Sequence, residues 1–399
     1  MKRTGSNTLL IIGTCLLFLQ LTGANSLPAQ GFSNLSFGTD STFEVLTWNV
    51  ERFPKKGQTT INYVSQIIKA LDVDLLAIQE VSDTTLFKQM VNGLDGYNGY
   101  FKSGWFAGLA YIYKTGVIDV HRIYEIYTTS PYWSAFPRSP MVMEMSFMGH
   151  DYIIINNHFK CCGDGIFDRD NPNDEESRRY KAATLLKQHI DYRLPDKRVI
   201  LLGDLNDIIT DSRAHNVFQD FIDDTTNYRF ADMSIAQGNK SEWSFPTWPS
   251  HLDHILITNE LFDEFENNGS DIQTIKLDQY MTGGWSAYDR NITDHRPVAL
   301  KLKPNQPTGV KTSSTPTTIN ICNYPNPFNN VTQIVFDPVW ENSELYIYNI
   351  KGELVELIPI AAGQSSVQWT AGEYANGVYF VRLLTDGAFT AFNKITLAK

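Results

Sequence analysis

Between residues 43 and 303, the side chains able to work on a phosphate stand at the ends of apolar runs. "LTWNVE" ends in Asn49 and Glu51, "LLAIQE" in Glu80, "IIINNH" in His158, and "VILLGDLND" in Asp204, Asn206 and Asp207. "SHLDHILI" carries Asp253 and "NITDHRP" carries Asp294 and His295. Taken singly, each fits a strand-to-loop turn, where Gly, Asn and Asp are at home, or a core histidine. Six such ends in one region are hard to explain as independent accidents. Their types suit a single task. Phosphodiester hydrolysis needs a hard cation against the negative charge, and carboxylate and carbonyl oxygens are the ligands for Mg²⁺. Glu80 with Asn49 nearby would supply them. A water must lose a proton, which suits a histidine oriented by a carboxylate, as His295 and Asp253 would be. Donors for the departing oxygen and the crowded phosphate would come from a second histidine and an asparagine.

Such groups need a rigid frame, and the same region alternates strand-like and helix-like signals. "FEVLTWNV", "VDLLAIQEV", "GLAYIYK", "MVMEMSF", "DYIIINNHF", "RVILLGDLND", "LDHILIT" and "HRPVALKLK" read as strands. "TTINYVSQIIKAL" places Ile61, Val64, Ile68 and Leu71 on one helical face. "NDEESRRYKAATLLKQHIDYR" reads as a long helix with acids in its first turn, which suits the macrodipole. The mixture predicts an α/β layered domain with sheets at its centre.

The 399 residues allow two or three domains. A 42% hydrophobic and 13% aromatic content suits packed cores. The net charge of −11 argues against a generally basic nucleic-acid coat but leaves room for a local basic cleft. Lys2 and Arg3 before the apolar stretch Leu9–Leu21 and "TGANS" read as an export signal over 1–26. That stretch is short for a membrane span, and no later segment could be one. Cys15 lies in it after a poor lipoprotein box, "IGT", so a soluble mature protein is expected, with an uncleaved anchor as the alternative. The remaining Cys161, Cys162 and Cys322 give no disulfide framework. The adjacent pair is either a vicinal disulfide or two thiols. Residues 304–319, "PNQPTGVKTSSTPTTI", read as a linker. Beyond it "TQIVFD", "SELYIYNIK", "SSVQWT", "GVYFVRLLTDG" and "TAFNKITLAK" are short strands with no helix among them, a small all-β sandwich over 320–399.

In this order, "TWNVE", "AIQEV", "NNHF", "GDLND", "LDHI" and "TDHRP" resemble the endonuclease/exonuclease/phosphatase superfamily, which includes DNase I, apurinic endonucleases, neutral sphingomyelinases and inositol-polyphosphate phosphatases. The resemblance covers residues 40–303 and implies a DNase I-like four-layer α/β/β/α sandwich with the strand ends lining one cleft. It implies that Asn49 and Glu80 form the metal pair, with Glu51 as a second acid and Asp294 near metal or phosphate. Asp204 and Asn206 would orient the water and hold the phosphate, making the acids of "GDLND" active-site groups. Asp253 would partner His295, and His158 would be a second catalytic histidine. Arg138, in "FPRSPMVMEM", resembles a phosphate-contacting arginine. One departure stands out. DNase I has an acid just before the strand matching "GLAYIYK" that pairs with the second histidine, and "GWFAG" here has none. His158 therefore needs another partner. The "CCGDGIFDRDNPND" insert is also foreign to DNase I; its acids suit a solvated loop or a structural Ca²⁺ site. "NYPNPFNN", "LYIYNIKGELV" and "NGVYFVRL" resemble the C-terminal sorting domain of the type IX secretion system, which implies Gram-negative export and handling by that machinery.

The expectation is thus a secreted, monomeric, Mg²⁺-dependent phosphodiesterase, with Mn²⁺ as an alternative ion. Two substrate classes compete. A nuclease should line its cleft with cations to meet successive phosphates, for which Arg138, Lys160, Arg178, Arg179 and Arg290 are available. A sphingomyelinase-type enzyme should expose an aromatic hairpin to the bilayer interface, for which "QYMTGGWSAY" is a candidate. Nucleic acid, DNA or RNA, is the favoured substrate. A non-catalytic surface protein that keeps the fold is the third possibility, and the full set of motifs argues against it.

Overall fold

The structure is a computed structural model. It describes residues 31–102, 107–305, 321–337, 343–385 and 388–399. The expected export signal and most of the expected linker lie outside the described residues, as do Trp105 and Phe106 of "GWFAG". The chain divides into two compact units, Met1–Asn305 and Gln306–Lys399.

In the first unit the elements run β1 (Phe43–Phe53), α1 (Gln58–Leu71), β2 (Leu75–Val81), α2 (Thr84–Asn92), β3 (Tyr97–Phe101), β4 (Gly108–Lys114), β5 (Ile118–Glu125), β6 (Met141–Phe147), β7 (His150–His158), α3 (Glu175–Arg193), β8 (Val199–Asp204), β9 (Tyr228–Phe230), β10 (Asp253–Thr258), β11 (Asp271–Thr274) and β12 (Val298–Leu302). They form two six-stranded mixed sheets, ordered β11-β12-β1-β2-β4-β3 and β5-β6-β7-β8-β10-β9. Three apolar cores fix the layering. Phe43, Val45, Leu75, Ala77, Ile154, Ile200, Leu202 and Ile255 pack between the sheets. Leu46, Trp48 and Leu76 pack outward with α1 and α2, and Leu201 and Leu256 with α3. This is the four-layer α/β/β/α sandwich.

Successive strand residues point to opposite faces, and that period decides where the polar ends go. In β1 the residues between the sheets are Phe43 and Val45, so Thr47 and Asn49 follow on the same face. The parity gives Leu75, Ala77, Gln79 in β2, Ile154, Asn156, His158 in β7, Ile200, Leu202, Asp204 in β8, and Ile257, Ile255, Asp253 read backward along β10. β1 with β2 and β7 with β8 are parallel pairs, and Asp253 lies opposite Asp204 in the antiparallel β8/β10 pair. The polar members therefore collect at one edge of the sandwich. Just beneath them the sheets are joined by polar side chains. Gln79 Nε2 donates to Asn156 Oδ1 at 2.8 Å, and Asn156 Nδ2 donates to the Ile78 and Ala110 carbonyls at 3.1 and 3.0 Å.

Gly203 is required by close approach. Its φ is 146°, and a Cβ there would lie 2.0 Å from the Asn157 carbonyl oxygen on β7. Asp174 caps α3 by accepting from Ser177 N at 2.9 Å. Among the described residues no helix is long and apolar enough to cross a membrane.

The second unit holds β13 (Ile321–Tyr324), β14 (Val331–Phe336), β15 (Ser343–Asn349), β16 (Leu354–Ile360), β17 (Ser366–Thr370), β18 (Gly377–Thr385) and β19 (Ala388–Leu397). They make antiparallel sheets of three and four strands around Phe328, Ile334, Leu345, Ile347, Trp369, Val381 and Ile395.

Candidate active site

Asp204 is the hub. Its Oδ2 accepts from Asn49 Nδ2 at 2.9 Å and lies 3.5 Å from His158 Nε2 and 3.8 Å from His295 Nε2. Its Oδ1 accepts from Asn206 N at 3.1 Å, which requires the left-handed turn at Asn206, φ 54°. Burial, and after it the neighbouring Asp253 and Glu80 carboxylates, push the Asp204 carboxyl up to about 7 against the pull of His295.

Asp253 and His295 are paired. His295 Nδ1 meets Asp253 Oδ2 at 2.7 Å, so that nitrogen carries the proton and Nε2 is turned to the cleft. The ring is steered from behind. Trp48 Nε1 and the Tyr288 hydroxyl donate to the His295 carbonyl at 3.3 and 2.7 Å. Thr293 Oγ1 donates to the Asn49 carbonyl at 2.8 Å and accepts from His295 N at 3.1 Å. Phe245 packs on the imidazole with ring centroids 4.9 Å apart. Burial would push the imidazole down, but the Asp253 and Asp204 carboxylates outweigh it and raise His295 to about 10.

His158 is only 3% exposed, and its Nδ1 has no hydrogen-bond partner among the described residues. Burial first, then the Arg138 and His295 charges, hold it well below the usual histidine range, so it is neutral. In place of the acid that "GWFAG" lacks, the Asp204 carboxylate lies 3.5 Å from His158 Nε2. Arg138 donates from Nε to the Ala107 carbonyl at 3.1 Å. Burial lowers its pKa, and the Glu80 and Asp204 charges oppose that, so the guanidinium faces the same cluster.

Glu80 stands at φ 66°, takes Asn49 Nδ2 on Oε1 at 3.3 Å and Arg52 N on Oε2 at 2.9 Å. Asn49 Oδ1 accepts from Glu51 N at 2.9 Å. Glu51 contacts Lys55 Nζ and accepts from Asp294 N at 3.2 Å. Asp294 Oδ1 lies 3.9 Å from His295 Nε2. Glu80 and Asp204 thus bring carboxylate oxygens and crowded negative charge to one point, a donor set that fits Mg²⁺ or Mn²⁺, whereas Asn49 turns its Nδ2 to both and would offer its Oδ1 to an ion only after an amide flip away from Glu51 N.

Residues 46–295 match the Endonuclease/Exonuclease/phosphatase family. The chain belongs to this family. Residues 323–397 match the secretion system C-terminal sorting domain. No curated protein matches. Among solved structures, the fold is shared with D. rerio TDP2 complexed with a single-strand DNA product, at 13% identity and a TM-score of 0.49 over 66% of this chain and 100% of that one. The human Nocturnin catalytic domain with bound sulfate shares it at 16% identity and 0.46, over 66% and 93%. An endonuclease/exonuclease/phosphatase from Bacteroides vulgatus shares it at 14% and 0.46, over 66% and 100%.

Several members of this family-type cluster differ from what the sequence suggests. Asp207 is not at the cleft. Its Oδ2 accepts from buried Arg179 Nε at 2.7 Å, and its carbonyl faces His254 Nε2 at 2.9 Å. Arg179 is correspondingly no substrate cation: it is 2% exposed, paired with Glu176, and donates to the Lys160 and Cys162 carbonyls. "QYMTGGWSAY" is not an exposed hairpin. It forms a 3₁₀ turn, Leu277–Tyr280, and a helix, Gly284–Asn291, whose Tyr288 is fully buried under His295. The insert's acids accept backbone N–H groups: Asp164 from Ile166, Asp168 from Asp170, Asp174 from Ser177. Cys161 and Cys162 are exposed thiols with sulfurs 2.9 Å apart.

The sequence signals overlooked Gln79, Asn156, Lys55 and the cluster Asp232–His251–His254. The parity of β2 and β7 would have flagged the first two. The cluster joins residues far apart in the chain, and "SHLDH" alone does not distinguish its two histidines from ligands.

Proposed function

We propose that this chain is a secreted, divalent-metal-dependent phosphodiesterase that hydrolyses nucleic acid. The observation that carries the proposal is the convergence of the Asp253–His295 pair and neutral His158 on one carboxylate, Asp204. Asn49 and Glu80 would hold the ion, which when bound supplies positive charge to the phosphate oxygens and offsets the carboxylates that keep a proton on His295. His295 Nε2, held by Asp253, takes the proton of the attacking water, and Asp204 with Asn206 orients that water. Arg138 and His158 face the phosphate, and the negative charge of a bound phosphodiester would favour protonation of the otherwise neutral His158, whose imidazolium would then protonate the departing oxygen. General acid–base assistance of this kind contributes roughly 10²–10⁴-fold.

The segment "QYMTGGWSAY" forms a 3₁₀ turn and a helix rather than a hairpin, with Tyr288 buried and Tyr280 and Trp285 partly buried against the core, and this favours nucleic acid over a lipid interface. The C-terminal sorting domain supports export through type IX secretion. The test offers plasmid DNA, RNA and sphingomyelin to the purified chain with Mg²⁺ or Mn²⁺, with and without EDTA. Cleavage of DNA or RNA that EDTA stops is the expected result. Turnover of sphingomyelin alone would transfer the same centre to a phospholipid enzyme.

A further inference from the structure

Lys55 has no place in the chemistry above, yet it occupies a position where chemistry would be expected. Opposite β2, the register of β1 slips between Asn49 and Phe53, and Glu51 and Arg52 take φ of 35° and 51°. An irregularity of this kind re-aims a side chain. Here it turns Glu51 to Asp294, whose N–H donates to Glu51 Oε2 at 3.2 Å. Glu51 and Asp294 thus bring two acidic residues together beside the proposed phosphate site, a pairing that would attract a second hard cation.

Lys55 fills that need from within the chain. Its Nζ contacts Glu51 Oε2 and donates to the Asp289 carbonyl at 2.7 Å and to Asp289 Oδ1 at 3.2 Å. Three acceptors use all three hydrogens of an ammonium. The Asp289 carbonyl belongs to the last turn of the Gly284–Asn291 helix, an end that favours a cation. The turn bearing Lys55 is fixed as well: Thr60 Oγ1 accepts from Lys56 N at 2.8 Å and donates to the Asn291 carbonyl at 2.7 Å. The ammonium is therefore placed by backbone on both sides, and the Lys55 side chain is only 21% exposed.

We propose that Lys55 is a built-in counter-ion for the Glu51/Asp294 pair, so that the centre takes one divalent cation, on Asn49 and Glu80, and none between Glu51 and Asp294. The proposal rests on the metal-dependent function proposed above. Lys55 is a positioning residue: it acts through Glu51, whose Oε2 accepts from Asp294 N, and Asp294 Oδ1 lies 3.9 Å from His295 Nε2.

The test counts ions rather than turnover. The EDTA-stripped full chain is titrated with Mn²⁺, following free Mn²⁺ by electron paramagnetic resonance. One ion per chain is expected. Glu80→Gln should weaken it by about tenfold or more, and Glu51→Gln should leave number and affinity nearly unchanged. Lys55→Met should bind a second Mn²⁺, which Lys55→Met/Glu51→Gln loses again, and Lys55→Arg should bind one. Two ions in the wild type, a tenfold weakening by Glu51→Gln, or a folded Lys55→Met with one ion would each overturn the role of Lys55. Should Lys55→Met not fold, the wild-type count and Glu51→Gln still decide. A wild type that binds no Mn²⁺ overturns the metal-dependent function itself, whereas two ions overturn Lys55 alone.

Discussion

Adjacent residues of β10, Asp253 and His254, belong to two histidine–aspartate clusters on opposite faces of one sheet, and the clusters are built to different ends. Behind the sheet, Asp232 Oδ2 meets His254 Nδ1 at 2.6 Å and His251 Nε2 at 3.0 Å, and Oδ1 accepts from Ile255 N at 2.9 Å. His251 Nδ1 accepts from Ser244 N at 3.2 Å, so its proton is on Nε2. His254 faces acceptors with both nitrogens, Asp232 and the Asp207 carbonyl, so it is an imidazolium. Although burial opposes it, the His254 charge and the two histidine hydrogen bonds hold the Asp232 carboxyl well below the usual range. Every polar atom of Asp232, His251 and His254 is matched. On the cleft side the match is incomplete. Asp253 Oδ1 is buried without a partner among the described residues, and His295 Nε2 stands 3.8 and 3.9 Å from Asp204 and Asp294, beyond hydrogen-bond reach. The same residue types give a structural clamp where the bonds close, and at the proposed active site they stop one partner short.

The difference can be broken most violently on the cleft side. Asp253→Asn should keep the fold and lower kcat by roughly 10³–10⁴-fold, because the ring loses the acceptor that fixes its proton on Nδ1. His295→Ala should be as severe, and the double variant should cost far less than the product of the two, as expected of residues acting as a unit. Multiplying losses would show that Asp253 and His295 act separately. His158→Ala should cost about 10²–10⁴-fold on a diester with an ordinary leaving group and much less on a nitrophenyl ester. Equal losses on both would leave His158 without a general-acid role.

On the clamped side the expected loss is stability. Asp232→Ala strands the buried His254 charge and should destabilise the first unit by about 3–5 kcal/mol, read by denaturant unfolding. Metal-independent loss of activity without a stability change would place the clamp among the reacting groups. A subtler contrast lies in pH. A folded-state value of about 10 for His295, above an unfolded value near 6.5, means a contribution fully present below about pH 6.5 and lost as pH rises toward 10. His254, also raised, has the same sign. Asp232, depressed, contributes above about pH 4 and fails only in acid. Thermal melts in EDTA should therefore show a decline between pH 7 and 10 that is shallower in Asp253→Asn, and an acid limb that variant leaves alone. The smallest effect concerns the other unit. A chain ending at Asn305 should keep the catalytic unit folded and active but should not leave the cell; loss of a cooperative melt would show that the two units depend on each other.

Much of this was readable in the sequence because strand parity is strict. "FEVLTWNV" alternates so that Asn49 must share a face with Val45, and "VILLGD" does the same for Asp204 and Leu202. The face of α1 held likewise, with Ile61, Val64, Ile68 and Leu71 all buried. The edge strands β3, β5, β9 and β11, and β13 and β16 in the second unit, carry no clear signal in the sequence, since three to eight residues of mixed polarity give little periodicity. Asp207 was misplaced because its turn reverses the direction of the side chain, and its partner Arg179 comes from a helix 28 residues earlier. "QYMTGGWSAY" was misread for a related reason: an aromatic segment between two motifs looks like an exposed loop until Tyr288 is seen holding the His295 carbonyl.

The hydrogen bond from Gln79 to Asn156 has a mechanical consequence. Leu, Ile and Val are nearly interchangeable in a buried face, so an apolar interface between two sheets has many almost equivalent offsets along the strand direction. A directional bond between two amides, with Asn156 also gripping the Ile78 and Ala110 carbonyls, admits one offset only. It works as an index pin. Shear of the upper sheet against the lower by even a single residue would strand both amides in an apolar layer. The two halves of the cleft, Asn49 and Glu80 from one sheet and His158, Asp204 and Asp253 from the other, are therefore aligned by a joint that takes no part in what they do.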